Sequence, residues 1–296
     1  MSRRIGIVGL GRMGLPMCLR LTEHGFCVSA TDVRSEPRDS VIEAGALWAG
    51  SVAEVAARSE VLITMLPGPG EVSAIAGEVI AALSPGCTWV DMSSATPAVA
   101  AEIARGAEGH DVRILDAPAG GGPPEARTGR LLLFAGGSSG DLEAQGDVLE
   151  SLADRVLHVG PPGSGYAVKL IVNLLWFAQA VAGAEALTLA ARAGLDLETV
   201  RRAVQESAAA SRSMERDAPA LMRGDDLTSF SLARCHEELA GILALGDQLA
   251  VPLSLAERVT EVYAQALERY GDADGELLAA RLVAERAGVD FADERR

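Results

Sequence analysis

Arg4-Ile-Gly-Ile-Val-Gly9-Leu-Gly11-Arg-Met-Gly14-Leu-Pro-Met17, with Asp32 downstream, is the stretch that decides the fold. A short apolar run over residues 4–9 ends in glycines spaced G-x-G-x-x-G. Helical periodicity then takes over through residues 12–24. Glycines permit the tight turn and let a phosphate approach the backbone where the helix opens. Asp32 ends the next apolar run, 18 residues beyond Gly14 (32 − 14). A carboxylate there accepts hydrogen bonds from ribose hydroxyls. The pattern predicts a dinucleotide site on the backbone of Gly9, Leu10, Gly11, Arg12, Met13 and Gly14, with Asp32 on the ribose. Asp32 also repels a 2′-phosphate, so NAD is expected, with NADP as the alternative if Arg34 or Arg38 reaches that phosphate.

Working outward, short apolar runs recur at residues 4–9, 27–32, 61–66, 88–92, 113–117, 131–135 and 155–159. Helical stretches alternate with them at 12–24, 51–58, 69–83, 97–107 and 141–152. Ser51 and Glu54 have the spacing of a capping box. Such alternation predicts a parallel, doubly wound Rossmann sheet with ligands at the C-terminal strand edge. The pattern changes at Gly160-Pro-Pro-Gly-Ser-Gly165, a turn-rich break. Only helical periods follow, at 166–193, 196–207, 230–249, 252–270 and 274–287. The expected class is therefore α/β, a Rossmann domain over residues 1–162 followed by an all-α domain over 163–296. The cleft between two such domains is the expected ligand site.

The bulk composition narrows the partners. The 296 residues carry a formal net charge of −15, which disfavours nucleic acid and anionic membranes. Cys18, Cys27, Cys87 and Cys235 form no C-x-x-C pair and no metal spacing with the four histidines, so reduced thiols in a cytoplasmic protein and no metal are expected. The apolar run 170–187 is long enough to query as a membrane span. It contains Asn173, Gln179 and Glu185, and a buried inter-domain helix is the expectation.

Lys169 and Asn173 sit four residues apart in an otherwise charge-poor segment, and residues i and i+4 share a helix face. Burial makes the charged form of a lysine costly, which suits proton exchange near neutral pH. Both are therefore candidate catalytic residues, and a lysine of this kind beside a dinucleotide site points to an oxidoreductase. Asp91-Met-Ser-Ser94-Ala-Thr-Pro97 ends a strand and enters a helix. Ser94 there either caps the helix or contacts nicotinamide or substrate. Asp116-Ala-Pro-Ala-Gly120-Gly121-Gly122 offers consecutive backbone N–H groups, either as a flexible loop or as an anion nest for a carboxylate.

These motifs together resemble the β-hydroxyacid dehydrogenase family, nearly end to end. The stretch from Gly9 to Met17 is similar to the family's opening motif. Met65-Leu66-Pro67 and Asp91-Met-Ser-Ser94 are similar to its cofactor-contacting strand ends. Asp116–Gly122 is similar to its substrate-carboxylate motif, and Gly163-Ser-Gly165-Tyr-Ala-Val-Lys169-Leu-Ile-Val-Asn173 to its catalytic motif. The resemblance implies hydride transfer between a nicotinamide cofactor and a small β-hydroxy acid or semialdehyde acid, with Lys169 as general acid–base. It implies Leu66, Pro67 and Ser94 on the cofactor, and Ser94, Gly120, Gly121, Gly122, Phe230 and Glu238 on the substrate. It also implies a homodimer or homotetramer built from helices of the second domain.

Three positions depart from the family pattern. Gly120 stands where serine is usual, Arg130 where threonine is usual, and Glu237-Glu238 where lysine and aspartate are usual. Imine reductases share the architecture but usually carry aspartate or tyrosine at the position of Lys169, so the lysine argues against that alternative. A non-catalytic nucleotide-binding scaffold is the remaining alternative, and the lysine argues against it too.

Overall fold

The structure is a computed structural model that describes residues 2–292. Two compact units divide it, Met1–Lys169 and Leu170–Arg296. The first unit holds nine strands: β1 (Arg4–Val8), β2 (Cys27–Thr31), β3 (Leu47–Trp48), β4 (Val61–Thr64), β5 (Thr88–Asp91), β6 (Arg113–Asp116), β7 (Ala119–Gly120), β8 (Leu131–Gly136) and β9 (Ala153–Gly160). Its helices are α1 (Gly14–Glu23), α2 (Arg38–Glu43), α3 (Val52–Arg58), α4 (Pro69–Ala82), α5 (Pro97–Gly106), α6 (Pro123–Thr128), α7 (Ser139–Glu143) and α8 (Gly146–Leu152). The sheet order is β3-β2-β1-β4-β5-β6-β8-β7, with β9 on β8. Six neighbouring pairs are parallel.

The expectation of a parallel sheet needs one correction. Strand β8 runs antiparallel to both β6 and β7, so that edge of the sheet is mixed. The connection from β7 to β8 is residues 121–130, ten residues, which is shorter than the crossover of a dozen or more that a parallel return needs.

Strand side chains alternate between two buried faces. Val61 and Ile63 of β4 join one apolar cluster with Ile5, Ile7 and Val90, whereas Leu62 joins another with Trp89, Val72 and Val79. Burial on both faces explains why these strands read as continuous apolar runs. Pro69 and Pro97 open α4 and α5, where a missing N–H costs nothing. Ser51 caps α3 by accepting from the Glu54 N–H at 3.1 Å. Glu54 closes no reciprocal box, because its carboxylate accepts from Gly50 N–H. The expected helix over 141–152 is two helices. Gln145 lies at the break, with its side chain buried and donating to Thr88 Oγ1 at 3.0 Å.

The second unit is helical throughout its regular structure. The helix α9 (Ser164–Arg192) leads into it, followed by α10 (Leu197–Gln205), a π-helical turn at Ser213–Asp217, α11 (Ala218–Met222), α12 (Leu232–Gln248), α13 (Ser254–Tyr270) and α14 (Leu278–Arg286). Leu170, Phe177 and Val181 of α9 pack with Leu239, Val259, Tyr263 and Leu282. The Phe177 and Tyr263 rings meet at a tilt of 60°, with centroids 5.2 Å apart. Helix α9 is long and apolar enough to cross a membrane by length and composition. The expectation of a buried helix holds for one face only: Leu170, Phe177, Val181 and Leu187 are buried, whereas Ile171, Leu175 and Leu189 are 53%, 56% and 73% exposed.

Candidate active site

The turn from β1 to α1 is shaped by contacts that only glycine permits. Gly9 has φ +91°, and a Cβ there would lie 2.3 Å from the Met65 carbonyl oxygen. A Cβ on Gly14 would lie 1.9 Å from the Gly9 carbonyl oxygen, so helix and strand touch backbone to backbone. A Cβ on Gly11 would meet only an Arg34 nitrogen, at 3.8 Å. Two glycines thus serve the fold, and the third keeps an approach to the backbone open. Met13 precedes α1 without a side-chain cap, and no acidic residue lies in its first turn. This helix end suits a bound anion such as a pyrophosphate.

Asp32 is tied into the same turn. Its Oδ2 accepts from Leu10 N–H at 2.6 Å, and its Oδ1 accepts from Arg34 N–H at 2.8 Å and Arg34 Nε at 3.0 Å. Burial alone would raise its pKa. The Arg34 guanidinium and the two backbone donors outweigh that and hold the carboxyl below its ordinary range. Arg12 is exposed and Met13 half-buried. Arg38 lies in α2.

At the end of β4, Leu66 N–H donates to Ser93 Oγ at 2.8 Å, and Pro67 is exposed. Ser93, not Ser94, faces inward: it also donates to Asp91 Oδ1 at 2.7 Å. Ser94 is half-buried, and neither it nor Thr96 caps α5.

Two strand-end carboxylates do work that the sequence reading missed. Asp91 accepts from Thr64 Oγ1, Ser93 Oγ and the Tyr166 phenol, the last at 2.6 Å. Burial raises the Asp91 pKa against those three donors. Burial also pushes the Tyr166 phenol well above its usual value, with the Asp91 charge adding to it. Asp116, paired in register with Asp91, accepts from Gly163 N–H at 2.7 Å and Tyr166 N–H at 3.1 Å. Asp116 therefore caps the start of α9 from a distant strand. A Cβ on Gly165 would strike the Phe134 and Asp116 carbonyl oxygens at 2.3 and 2.6 Å, so glycine is required at this contact. The available signal was two aspartates at adjacent strand ends, followed by a helix whose glycine-rich start has little capping capacity of its own.

The glycine loop is also more ordered than a bare nest. Gly120 lies in β7, paired with Leu132. Gly121 has φ +110°. Gly122 N–H already donates to Glu125 Oε2 at 2.9 Å. An incoming carboxylate therefore meets one donor that the chain's own carboxylate occupies.

Within α9, Lys169 and Asn173 are both buried, at 8% and 2% exposure. Asn173 Nδ2 donates to Glu238 Oε2 on α12. Glu238 is 5% exposed. Phe230 is half-buried, with its ring edge-on to Trp176 at 5.9 Å between centroids. Glu237 points outward and pairs with Arg234. Among the described residues no group of three or more potential ligands is placed to hold a metal ion.

Comparison with known proteins adds the following. Residues 4–160 match the NAD binding domain of 6-phosphogluconate dehydrogenase. Residues 163–283 match the NAD-binding domain of NADP-dependent 3-hydroxyisobutyrate dehydrogenase. The chain is 33% identical over 266 residues to 2-(hydroxymethyl)glutarate dehydrogenase of Eubacterium barkeri, covering 88% of each. It is similar to the solved structure of Mycobacterium tuberculosis 3-hydroxyisobutyrate dehydrogenase with L-serine: TM-score 0.89, 27% identity, 95% of this chain and 99% of that one. An imine reductase from Myxococcus stipitatus, in complex with NAD+, superposes at TM-score 0.66 with 20% identity over 96% of this chain and 100% of that one. At that identity the likeness concerns the fold alone.

Proposed function

Because the chain belongs to the β-hydroxyacid dehydrogenase family, we propose that it interconverts a small β-hydroxy acid and its semialdehyde, with Lys169 as the acid–base group. The observation that carries this reading is a lysine only 8% exposed, one helical turn from an asparagine that is itself held by a buried glutamate. A bound nicotinamide supplies the hydride acceptor for oxidation and the donor for reduction. The backbone at Gly9, Leu10, Gly11, Arg12, Met13 and Gly14 would hold the pyrophosphate, Asp32 the ribose, and Leu66, Pro67 and Ser94 the nicotinamide end. Asp32 makes NAD the preferred cofactor. Arg34, already beside Asp32, is the residue through which NADP would bind.

In oxidation the neutral amine of Lys169 takes the hydroxyl proton as the carbinol carbon loses hydride. In reduction the ammonium returns that proton to the carbonyl oxygen. Asn173 orients Lys169 or holds the substrate oxygen. Backbone N–H groups of Gly121 and Gly122 receive the substrate carboxylate, with Glu125 released from Gly122. Gly120 brings no hydroxyl to this carboxylate. Phe230 walls the pocket. The family matches cover 4–160 and 163–283, which supports a nucleotide domain over residues 1–162 and a substrate and oligomerisation domain over 163–296.

The assembly we favour is a homodimer or homotetramer. Ile171, Leu175 and Leu189 form one exposed apolar stripe on α9, which a second copy of this chain would cover. Light scattering on the purified protein tests it. Four free cysteines, Cys27 among them exposed, suit a reducing, cytoplasmic setting.

The decisive experiment is Lys169→Met, which keeps the packing of the stem and removes the ammonium. Turnover should fall by about 10²–10⁴, with NADH binding retained by fluorescence titration. Near-normal kcat would refute the mechanism. Cyclic imines assayed in parallel should remain unreduced.

A further inference from the structure

One buried carboxylate joins two places that the proposed reaction must keep in register. Asp91 Oδ1 accepts from Ser93 Oγ at 2.7 Å, and Ser93 Oγ accepts in turn from Leu66 N–H at 2.8 Å. The same oxygen accepts from Thr64 Oγ1, which accepts from Trp89 Nε1 at 2.9 Å. Asp91 Oδ2 accepts from the Tyr166 phenol at 2.6 Å. Thr64, Trp89, Asp91, Ser93 and Tyr166 are each 1% exposed or less, and all lie in the first unit. A buried polar network in which each donor finds its acceptor is stiff.

Tyr166 is held at two points. Its N–H donates to Asp116 Oδ2 at 3.1 Å, and its phenol donates to Asp91. Its ring packs in the apolar cluster of Leu62, Val72 and Trp89. Phenylalanine would fill that space equally well, so the hydroxyl serves the Asp91 bond. The backbone bond fixes where α9 starts. The phenol bond, a side chain's length from the helix axis, fixes how α9 is turned about that axis. Lys169 follows three residues later, a spacing that puts Cβ atoms about 5–6 Å apart on one face. Any turn of the helix therefore moves Lys169.

We propose that Tyr166 is a positioning residue for Lys169, and that the chain Tyr166–Asp91–Ser93–Leu66 holds the acid–base amine in register with the nicotinamide end of the cofactor site. This inference rests on the roles proposed above for Lys169 and Leu66. Tyr166 and Ser93 act on rate through geometry alone, where a misplacement of about 1 Å costs about 10²-fold.

The test compares Tyr166→Phe, Ser93→Ala and the double variant with wild type. Each is assayed with NAD⁺ and whichever of 3-hydroxyisobutyrate, glycerate and serine the wild type turns over fastest, below the melting onset of every variant. Active sites are counted by NADH fluorescence titration. Tyr166→Phe should lower kcat by about 10–10²-fold, with KM and the NADH Kd within about twofold of wild type. Ser93→Ala should do the same. The double variant should be about as slow as the slower single one, because both substitutions break one chain.

An unchanged kcat in Tyr166→Phe, even with a lowered melting temperature, makes the hydroxyl merely structural and overturns the inference. So does a rise in NADH Kd that matches the loss of kcat, and so do losses that multiply in the double variant. Lys169→Met, run alongside, separates these failures from that of the acid–base reading: if it alone loses turnover, that reading stands. Turnover of none of the three acids by wild type, with NADH still bound, overturns both. If Tyr166→Phe fails to fold, an unchanged kcat in Ser93→Ala overturns the inference by itself.

Discussion

The Tyr166 phenol donates a 2.6 Å hydrogen bond to Oδ2 of Asp91, tying the end of β5 to the first turns of α9. Asp116 reinforces the tie from the next strand through the Gly163 and Tyr166 N–H groups. The helix that carries Lys169 is thus anchored at its N-terminus by two buried carboxylates rather than by a local cap.

Removing that anchor should be costly. Tyr166→Phe leaves Asp91 Oδ2 buried without its phenol donor, which is expected to destabilise the fold by about 1–3 kcal/mol. Urea unfolding followed by circular dichroism measures it. A midpoint equal to wild type would mean that Asp91 finds another donor when the hydroxyl is gone.

Two alanine substitutions in one motif should behave oppositely. Gly14→Ala puts a methyl within 1.9 Å of a backbone oxygen, so the variant should be strongly destabilised or insoluble. Gly11→Ala meets nothing closer than 3.8 Å and should melt near the wild-type temperature. Its NADH affinity should nonetheless fall, because the added methyl stands where the pyrophosphate approaches. Calorimetry and fluorescence titration separate the two effects. Unimpaired binding in Gly11→Ala would place the cofactor elsewhere.

Asp32 makes a prediction about pH. Its folded-state pKa is lowered, so its contribution to stability is present above the unfolded value and is lost as pH falls through the folded one. Arg34→Ala removes the ion pair and leaves the burial, so the Asp32 carboxyl should titrate at a higher pH in the variant. Carbon-13 NMR of the aspartate carboxyls follows this directly. An unmoved titration would assign the effect to the Leu10 and backbone donors alone. Asp32→Ala should move the NAD/NADP preference toward NADP by about tenfold or more, since each 1.4 kcal/mol of lost repulsion is tenfold in affinity.

Thiol chemistry should be confined to one site. Burial pushes the Cys18 thiol up to about 12 and raises Cys87 and Cys235, while Cys27 is exposed. Iodoacetamide at neutral pH should therefore modify Cys27 in the native protein and the other three only after unfolding. Peptide mapping that finds Cys235 modified at the same rate would show that α12 opens readily.

Much of this was legible in the sequence because its signals are local. Glycine spacing, apolar runs and Asp32 sit within one β-α-β stretch, and backbone sterics alone assign them. The Lys169–Asn173 pair follows from helical spacing. What was not legible depends on distant partners. The antiparallel placement of β8 and the two-residue β7 are set by neighbours across the sheet. At the end of β5, a shift of one residue decides that Ser93 faces Asp91 while Ser94 does not, and strand alternation makes such a shift decisive. Asp116 stood at the head of the expected substrate loop, yet its carboxylate caps a helix that starts 48 residues later (164 − 116). Glu238 was reached only through the family resemblance. Its bond to Asn173 joins two helices that no short motif connects.

The position of β1 has a consequence for how the chain is made. It lies between β2 and β4, and its pairing with Val61–Thr64 waits for residues that leave the ribosome well after Thr31. The gap is about thirty residues, a delay of seconds at about 5–20 residues per second. Throughout that interval Ile5, Ile7 and Val8 present an unpaired apolar strand edge, the kind of surface that seeds aggregation. The nascent protein is thus most in need of a chaperone before its fourth strand appears, and overproduction in a host that translates slowly should deepen that need.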